Sequence, residues 1–370
     1  MLLTRADAER YALRWPRPAF GRMGMRKNLA LLQVILFGVR PAFAGAADTL
    51  TAIAGITVGH AADEKGLTGC TVVRFPREGA VAGVDVRGSA PGTRETDLLA
   101  PTNLIDRVHA IVLSGGSAFG LDAASGVMRC LEEEKIGFDT GGGVRVPIVP
   151  AAILYDLKVG DPRRRPTAAM GYAACKSASA AAVSQGNAGA GLGATVGKML
   201  GMKRAMKGGL GSAAVALQGG AVVSALIAVN AVGDVVEPRT GKILAGTRGP
   251  DPGGFADSEK ILREQAPGNI FSGQNTTIGI VATNVPLSKT QLTKVAQMAH
   301  DGLARAVRPS HTMYDGDTLF AVSVLPSGSA PKADVTAIGS AAAEAVSRAI
   351  VNAIDNARSL PGLPAAHDWR

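Results

Sequence analysis

The chain has 370 residues, of which 46% are hydrophobic, 19% charged and 4% aromatic, which is typical of a folded globular protein and excludes a disordered one. Of the formal net charge of +9, residues 1–44 carry +6, so the remaining +3 does not predict a nucleic-acid-binding surface. The three cysteines, Cys70, Cys130 and Cys175, are odd in number and lack CxxC spacing. They exclude a disulfide scaffold, a zinc ribbon and a thioredoxin-type motif, and the fold is expected to need no bridge.

Residues 1–44 have the pattern of a secretory signal. Arg26 and Lys27 precede an apolar run over 29–39, and Ala42-Phe43-Ala44 supplies a cleavage site, so we expect cleavage after Ala44. The run is too short for a stable membrane anchor. The pattern predicts a periplasmic protein. An amphipathic helix is the alternative, and Met25 is a more usual start for such a signal, in which case residues 1–24 are not translated.

From residue 45 to 370 we predict one α/β domain, because no linker or internal repeat interrupts the pattern. Short apolar runs bounded by Gly, Asp, Asn and Pro predict strands at 71–75, 80–86, 109–113, 222–232, 277–283 and 318–324. Between them, helical periodicity predicts helices at 120–135, 171–184, 289–307 and 335–357. This alternation favours layers in which helices cover sheets.

Two glycine-rich segments imitate functional motifs. The segment 189–200 is close to a phosphate-binding loop, but Leu192 and Met199 replace the glycine and the hydroxyl residue that the motif requires. Ser117 follows two glycines, yet the second glycine of a nucleophile elbow is missing. Both segments are interpreted as tight turns. The five histidines show no metal-binding spacing, so no metal site is predicted.

Two polar segments remain as candidates for chemistry. Asn275-Thr276 places a hydroxyl residue where a loop enters a predicted strand. The alternative to a catalytic role is an ordinary turn. Asp315 and Asp317 lie two residues apart before another predicted strand, so in an extended chain both project to the same side. Such a pair can hold a proton or orient an amine. The alternative is a solvated Asp-Gly turn.

Several long motifs decide between these interpretations, because together they resemble one known family. They are GITVGH at 55–60, AGVDVRG at 82–88, PGTRETD at 91–97, VLSGGSAFGLD at 112–122 and VPIVPAA at 146–152, with Asn275-Thr276 and Asp315-Gly-Asp317 downstream. The chain is similar over nearly all of 48–358 to the family of L-aminopeptidase/D-esterase, the β-peptidyl aminopeptidases and the nylon-oligomer hydrolase. The resemblance implies a layered α/β/β/α sandwich like that of N-terminal-nucleophile hydrolases but differently connected.

The resemblance also implies a precursor that cuts its own backbone between Asn275 and Thr276. Thr276 then becomes an N-terminal nucleophile, Asp315 and Asp317 orient it and its amine, and Asn230 stabilises the oxyanion. Tyr155 and Lys198 fall where family members place active-site groups. The products are 45–275 and 276–370, assembled as a homo-oligomer of processed pairs, and no cofactor is implied.

The substrate expected from the resemblance is a small peptide or amide. The aminopeptidase branch uses serine with Ser-Gly-Glu, whereas this chain has Thr276 with Asp-Gly-Asp, as in the nylon-oligomer branch. Aminopeptidase action and internal cleavage of amino-acid oligomers therefore both remain open. An acyltransferase and a non-catalytic binding protein of the same fold are further alternatives.

Overall fold

Two β-sheets lie face to face, and each is covered on its outer side by helices. The computed structural model describes residues 48–264, 275–326 and 328–369. The predicted signal segment and its cleavage site lie outside the described residues. In the described part, no helix is long and apolar enough to cross a membrane.

The strands are mostly short and are bounded by glycine-rich turns. Their bounds are β1 Thr57–Asp63, β2 Thr68–Arg74, β3 Ala80–Val86, β4 Thr93–Arg94, β5 Arg107–Val108, β6 Ala110–Ser114, β7 Phe138–Asp139, β8 Arg145–Val146, β9 Ala151–Ile153, β10 Thr195–Val196, β11 Met206–Lys207, β12 Gly209–Ala216, β13 Val222–Asn230, β14 Asp234–Val236, β15 Ile243–Ala245, β16 Thr276–Thr283, β17 Val307–Arg308 and β18 Thr318–Ser323. The helices are α1 Ala123–Glu133, α2 Ala168–Lys176, α3 Ser258–Glu264, α4 Lys289–Ala306, α5 Val335–Asp355 and α6 Ala366–Trp369.

The first large sheet has the strand order β1-β2-β6-β9-β4, and the second has the order β12-β13-β16-β18-β3-β5. Most neighbouring strands are antiparallel, whereas β16–β18 and β6–β9 are parallel. Alternate side chains of both sheets meet in a shared inner core, to which Ile111 and Leu113 contribute from the first sheet and Ile278, Ile280 and Phe320 from the second. The sheets therefore form the two inner layers of a sandwich.

The opposite faces of the two sheets pack against helices. Val72 and Val112 of the first sheet form one outer core with Val127 and Leu131 of α1 and Ala174 of α2. In the second sheet, side chains such as Ile227 and Leu319 form the other outer core with α4 and α5. Because both faces are covered, β16 is buried along its whole length. The predicted α/β/β/α layering is confirmed.

One disulfide joins the first pair of helices, and the cysteine pattern did not predict it. Cys130 of α1 and Cys175 of α2 are bonded, while Cys70 is free and buried. The bridge closes a sequence separation of 45 residues. The expectation that no bridge is needed is thus corrected: an odd cysteine count excludes full pairing, but not a single bridge between packed helices.

Candidate active site

Three strand ends bring the candidate residues together. Asn230, the last residue of β13, pairs with Thr276, the first residue of β16. On the other side of β16, β18 begins at Thr318, immediately after the Asp315-Gly316-Asp317 segment, and Asn275 bridges to Asp315. The predicted residues of three distant segments therefore share one buried edge of the second sheet.

Thr276 is placed against the carbonyl group of the residue before it. Its side chain is buried, and its hydroxyl donates a hydrogen bond to the carbonyl oxygen of Asn275. The backbone N–H of Gly316 donates to that same oxygen over 2.9 Å. Two donors thus polarise the carbonyl group of the Asn275–Thr276 bond, which makes its carbon more electrophilic.

Only glycine fits between the two aspartates. A Cβ atom at residue 316 would lie 2.5 Å from the carbonyl oxygen of Ala90 and 2.9 Å from Oγ1 of Thr276. A larger residue would push the loop away from Thr276 and withdraw the N–H from the Asn275 carbonyl. The glycine therefore allows the close approach of backbone to backbone that this geometry requires.

Asp315 is a buried carboxyl group with a raised pKa. Its Oδ2 atom accepts from the hydroxyl of Thr312 over 2.6 Å and from the N–H of Thr312 over 3.1 Å. Burial, and then the negative charge of Asp317, raise the pKa of Asp315 to about 6. The two carboxyl groups thus interact electrostatically, so they titrate as a coupled pair.

Asp317 connects the start of β16 to a histidine. Its Oδ1 accepts from the backbone N–H of Thr277 over 2.7 Å. Its Oδ2 accepts from the N–H of His311 over 3.1 Å and lies 2.9 Å from Nδ1 of the same residue. One aspartate therefore faces Thr312 and the other faces the backbone that follows Thr276.

Lys198 and Asn230 form the opposite wall of the site. Nζ of Lys198 donates to the backbone carbonyl oxygen of Asn230 over 2.9 Å and to its Oδ1 over 3.0 Å. Burial lowers the pKa of Lys198 to about 7, against the raising effects of Asp315, Asp156 and Asp317. The neutral form of this amine is therefore reached at a lower pH than in an exposed lysine.

The amide of Asn230 is engaged within the wall of the site. Its Nδ2 donates to the backbone carbonyl of Tyr155 over 3.1 Å, and its Oδ1 accepts from the N–H of Thr195 over 2.9 Å. Tyr155 thus meets Asn230 through its backbone. With Thr195 and Lys198, Tyr155 lines a cavity of about 10 Å³, which is the space of about one water molecule.

Two residues of this geometry were not assigned from the sequence: Gly316 and His311. Gly316 was recognised only as part of the Asp-Gly-Asp motif. Its role as a backbone hydrogen-bond donor cannot be predicted from side-chain types. The histidine was tested only for metal spacing, whereas its contact is with a carboxylate. A search for histidine close to the acidic pair along the chain would have found it.

The glycine-rich segment around Ser117 has a structural explanation in Asp156. This buried carboxyl group accepts from the N–H of Gly116 over 2.7 Å and from the hydroxyl of Thr68 over 2.5 Å. A Cβ atom on Gly115 would lie 2.0 Å from Oδ2 of Asp156. The interpretation of this segment as a tight turn agrees with that packing. No group of three or more His, Cys, Asp and Glu side chains suitable for a metal occurs among the described residues.

Comparisons with known proteins agree with this architecture. The model of peptidase family S58 matches residues 48–367. An uncharacterized aminopeptidase of Mycobacterium leprae is 42% identical over 353 residues, covering 86% of this chain and 92% of the relative. A 6-aminohexanoate-oligomer endohydrolase of Kocuria is 35% identical, covering 81% of this chain and 84% of the relative.

A solved structure shows the same fold at lower identity. The L-aminopeptidase D-Ala-esterase/amidase of Ochrobactrum anthropi, described as a new variant of the Ntn hydrolase fold, aligns with a TM-score of 0.64 at 20% identity, covering 86% of this chain and 90% of the other. The predicted family resemblance and fold are confirmed. Since the family model spans most of the chain and the two relatives are similar over most of their length, this protein belongs to peptidase family S58.

Proposed function

We propose that this protein is a self-processing aminopeptidase in which Thr276 is the N-terminal nucleophile. The observation that carries the proposal is the contact of the Thr276 hydroxyl with the carbonyl group of Asn275, to which Gly316 also donates. A hydroxyl that contacts a polarised carbonyl group is placed next to the carbon that it attacks in an acyl shift. The family membership supports peptide-bond hydrolysis as the reaction class.

The self-cleavage proceeds through an ester. Oγ1 of Thr276 bonds to the carbonyl carbon of Asn275, the carbon–nitrogen bond breaks, and the hydroxyl proton ends on the nitrogen of Thr276 as it becomes an amine. Water then hydrolyses the ester, which restores the hydroxyl of Thr276 and leaves a carboxyl group on Asn275. The products are 45–275 and 276–370, and they stay together because β16 pairs with β13 across the cut.

The cut supplies the base that an internal threonine lacks. An α-amine has an ordinary pKa of about 7.7–8.0, so it accepts a proton from its own hydroxyl near neutral pH. We assign to Asp315 and Asp317 the role of orienting this amine. We assign to Lys198, which donates to Asn230, the role of setting the charge next to the Asn230 amide. The amide of Asn230 becomes an oxyanion donor if it exchanges the Tyr155 carbonyl for the substrate oxygen.

The intact mass and N-terminal sequence of the purified wild-type protein test the self-cleavage. We expect two pieces on a denaturing gel, one of which begins at Thr276. A fully active protein that remains uncut would contradict the proposal. A new N-terminus at Thr277 would move the nucleophile by one residue and contradict the assignment.

The substrate class follows from the charge of the site. Two carboxylates next to the nucleophile attract a cationic amine and repel a carboxylate, so we expect amides with a nearby free amino group to be hydrolysed faster than their N-acetylated forms. Small amino-acyl amides, β-amino-acyl peptides and linear ω-amino-acid oligomers meet this condition. Matched pairs of free and acetylated amides measure the preference, and equal rates would contradict amine recognition.

Internal cleavage of amino-acid oligomers is the second candidate activity. It is favoured by the Kocuria relative, which is named an oligomer endohydrolase, together with the Thr276 and Asp-Gly-Asp combination. Product analysis on a linear oligomer separates the two activities, since an aminopeptidase releases only terminal residues. Added amine acceptors in the same assay reveal any acyl transfer.

We further propose export to the periplasm with loss of residues 1–44, and assembly into a homo-oligomer of processed pairs. The Cys130–Cys175 bridge supports an oxidising compartment, where disulfides persist. The proposed oligomer rests on the family resemblance. Neither a cofactor nor a metal is part of this proposal.

A further inference from the structure

The contact between Asp317 and His311 lies beside the proposed nucleophile and has no role in the steps above. The backbone of Asp317 is fixed independently, because its carbonyl oxygen accepts from the N–H groups of Arg87 and Gly88. Its carboxylate is then oriented by three contacts: Oδ1 accepts from the Thr277 N–H, and Oδ2 contacts both the backbone N–H and Nδ1 of His311. Without the imidazole, Oδ2 keeps only the longer hydrogen bond from the backbone N–H of residue 311, so the carboxylate is held less firmly at that oxygen.

His311 is itself held in a defined orientation. Its backbone has a φ of +55°, a region that non-glycine residues rarely adopt. The ring of the buried His300 packs edge-on against it, with centroids 4.7 Å apart. Burial lowers the pKa of His300 to about 4, so it presents a neutral ring. His300 contacts the carbonyl oxygen of Asp85 through Nε2, which therefore carries the proton.

We propose that His311 is a positioning residue that holds the carboxylate of Asp317 against the start of β16. Resting on the proposed function of Thr276, this inference adds a residue that acts through Asp317 without touching the substrate. We assign Nδ1 as the donor in this contact, because a carboxylate oxygen accepts hydrogen bonds. The roles are reversed relative to a serine-protease triad, in which the aspartate orients the histidine.

The chemical consequence lies in the geometry of the acidic pair. Asp317 fixes the N–H of Thr277, the first peptide group after the new N-terminus, while Asp315 is fixed separately by Thr312. When the Asp317 carboxylate turns, the amine of Thr276 and the acidic pair lose their relative placement. Rate should then fall more than substrate binding, because a positioned group acts mainly in the transition state.

Two substitutions at His311 distinguish loss of the side-chain hydrogen-bond donor from a change in backbone conformation. Asn tolerates a positive φ, and its amide donates from a place near that of Nδ1, whereas Gly removes the side-chain donor without backbone strain and keeps the backbone N–H that also reaches Asp317. We expect His311→Gly to lower kcat by about 10- to 100-fold with KM changed less than threefold, and His311→Asn to stay within about threefold of wild type. His367→Asn is the control, since His367 is exposed and pairs with Asp368.

The pH profile gives a readout that a purely structural role would not move. Loss of a hydrogen-bond donor makes the acidic pair hold its proton more tightly, so the acidic limb of kcat should move about half a unit to higher pH in His311→Gly and stay in place in His311→Asn. The other charged and titratable groups around His311 are unchanged in both variants: Asp317 on its own loop with its partner Asp315, His300 on α4, Asp85 of β3, which contacts His300, and Arg87, which follows β3 and pairs with Asp85.

Wild-type kcat and pH profile in His311→Gly would overturn the inference, as would an equal loss in His311→Asn and His311→Gly. If the His311→Gly protein melts at a lower temperature than wild type, His311→Asp is used as the test variant instead. Asp has the shape of Asn but no donor, so an Asp variant as active as the Asn variant overturns the inference. Thr276→Val tests the proposed function separately, because activity without that hydroxyl contradicts the nucleophile and not the positioning of Asp317.

Discussion

Replacing Thr276 by valine should leave a single uncut chain without measurable hydrolysis. Valine keeps the branched shape that fills this buried strand position, while the hydroxyl that contacts the Asn275 carbonyl is gone. Loss of the nucleophile removes both self-cleavage and turnover, so the expected effect is larger than for any other single substitution. A denaturing gel, N-terminal sequencing and an amide assay measure both outcomes on the same sample.

Thr276→Ser refines this test. The serine hydroxyl is retained, but the methyl group that restricts its rotamers is lost, so we expect slower but detectable self-cleavage. Thr336→Ala is the matched control, because Thr336 is exposed on α5 and should leave processing and activity unchanged. An active, self-cleaved Thr276→Val protein would exclude Thr276 as the nucleophile and point to another group in the site.

The fold was predictable where apolar residues recur with a clear period, and less so where packing requires small residues. β3 was predicted with its observed bounds, and α4 to within one residue. By contrast, β1 and β12 were not predicted, because glycine and alanine have low strand propensity. A Cβ atom on Gly59 or Gly211 would lie 2.0 Å from a backbone oxygen of α2 or α5, respectively.

In the site, too, the sequence predicts features that depend on side-chain types but not those that depend on backbone geometry. Spacing alone placed Asp315 and Asp317 on one side, but it could not relate them to Thr276, which lies on a different strand. Family resemblance supplied that relation. The hydrogen bond from the N–H of Gly316 to the carbonyl oxygen of Asn275 joins the backbones of two distant segments. No pattern of side-chain types predicts such a contact. Tertiary packing decides such contacts.

Replacing Asp315 or Asp317 by asparagine should lower turnover by about two to four orders of magnitude, the range typical for loss of a positioned acid–base group. The two groups act as a pair, so the double variant should be little worse than the more damaging single variant. Asp63→Asn is the appropriate comparison, because Asp63 forms a surface ion pair with Arg164. Asp234 is unsuitable, since its buried carboxyl group accepts from Thr247 and Ser258.

The pH dependence distinguishes the two aspartates. Burial and the charge of Asp317 raise the pKa of Asp315 to about 6, so wild-type turnover should fall as the pH decreases through about 6 and Asp315 becomes protonated. In Asp317→Asn the neighbouring negative charge is gone, which favours ionised Asp315 and should move the acidic limb of the residual activity to lower pH. In Asp315→Asn that limb should disappear. An acidic limb that is unchanged in both variants, together with normal turnover, would remove the pair from the mechanism.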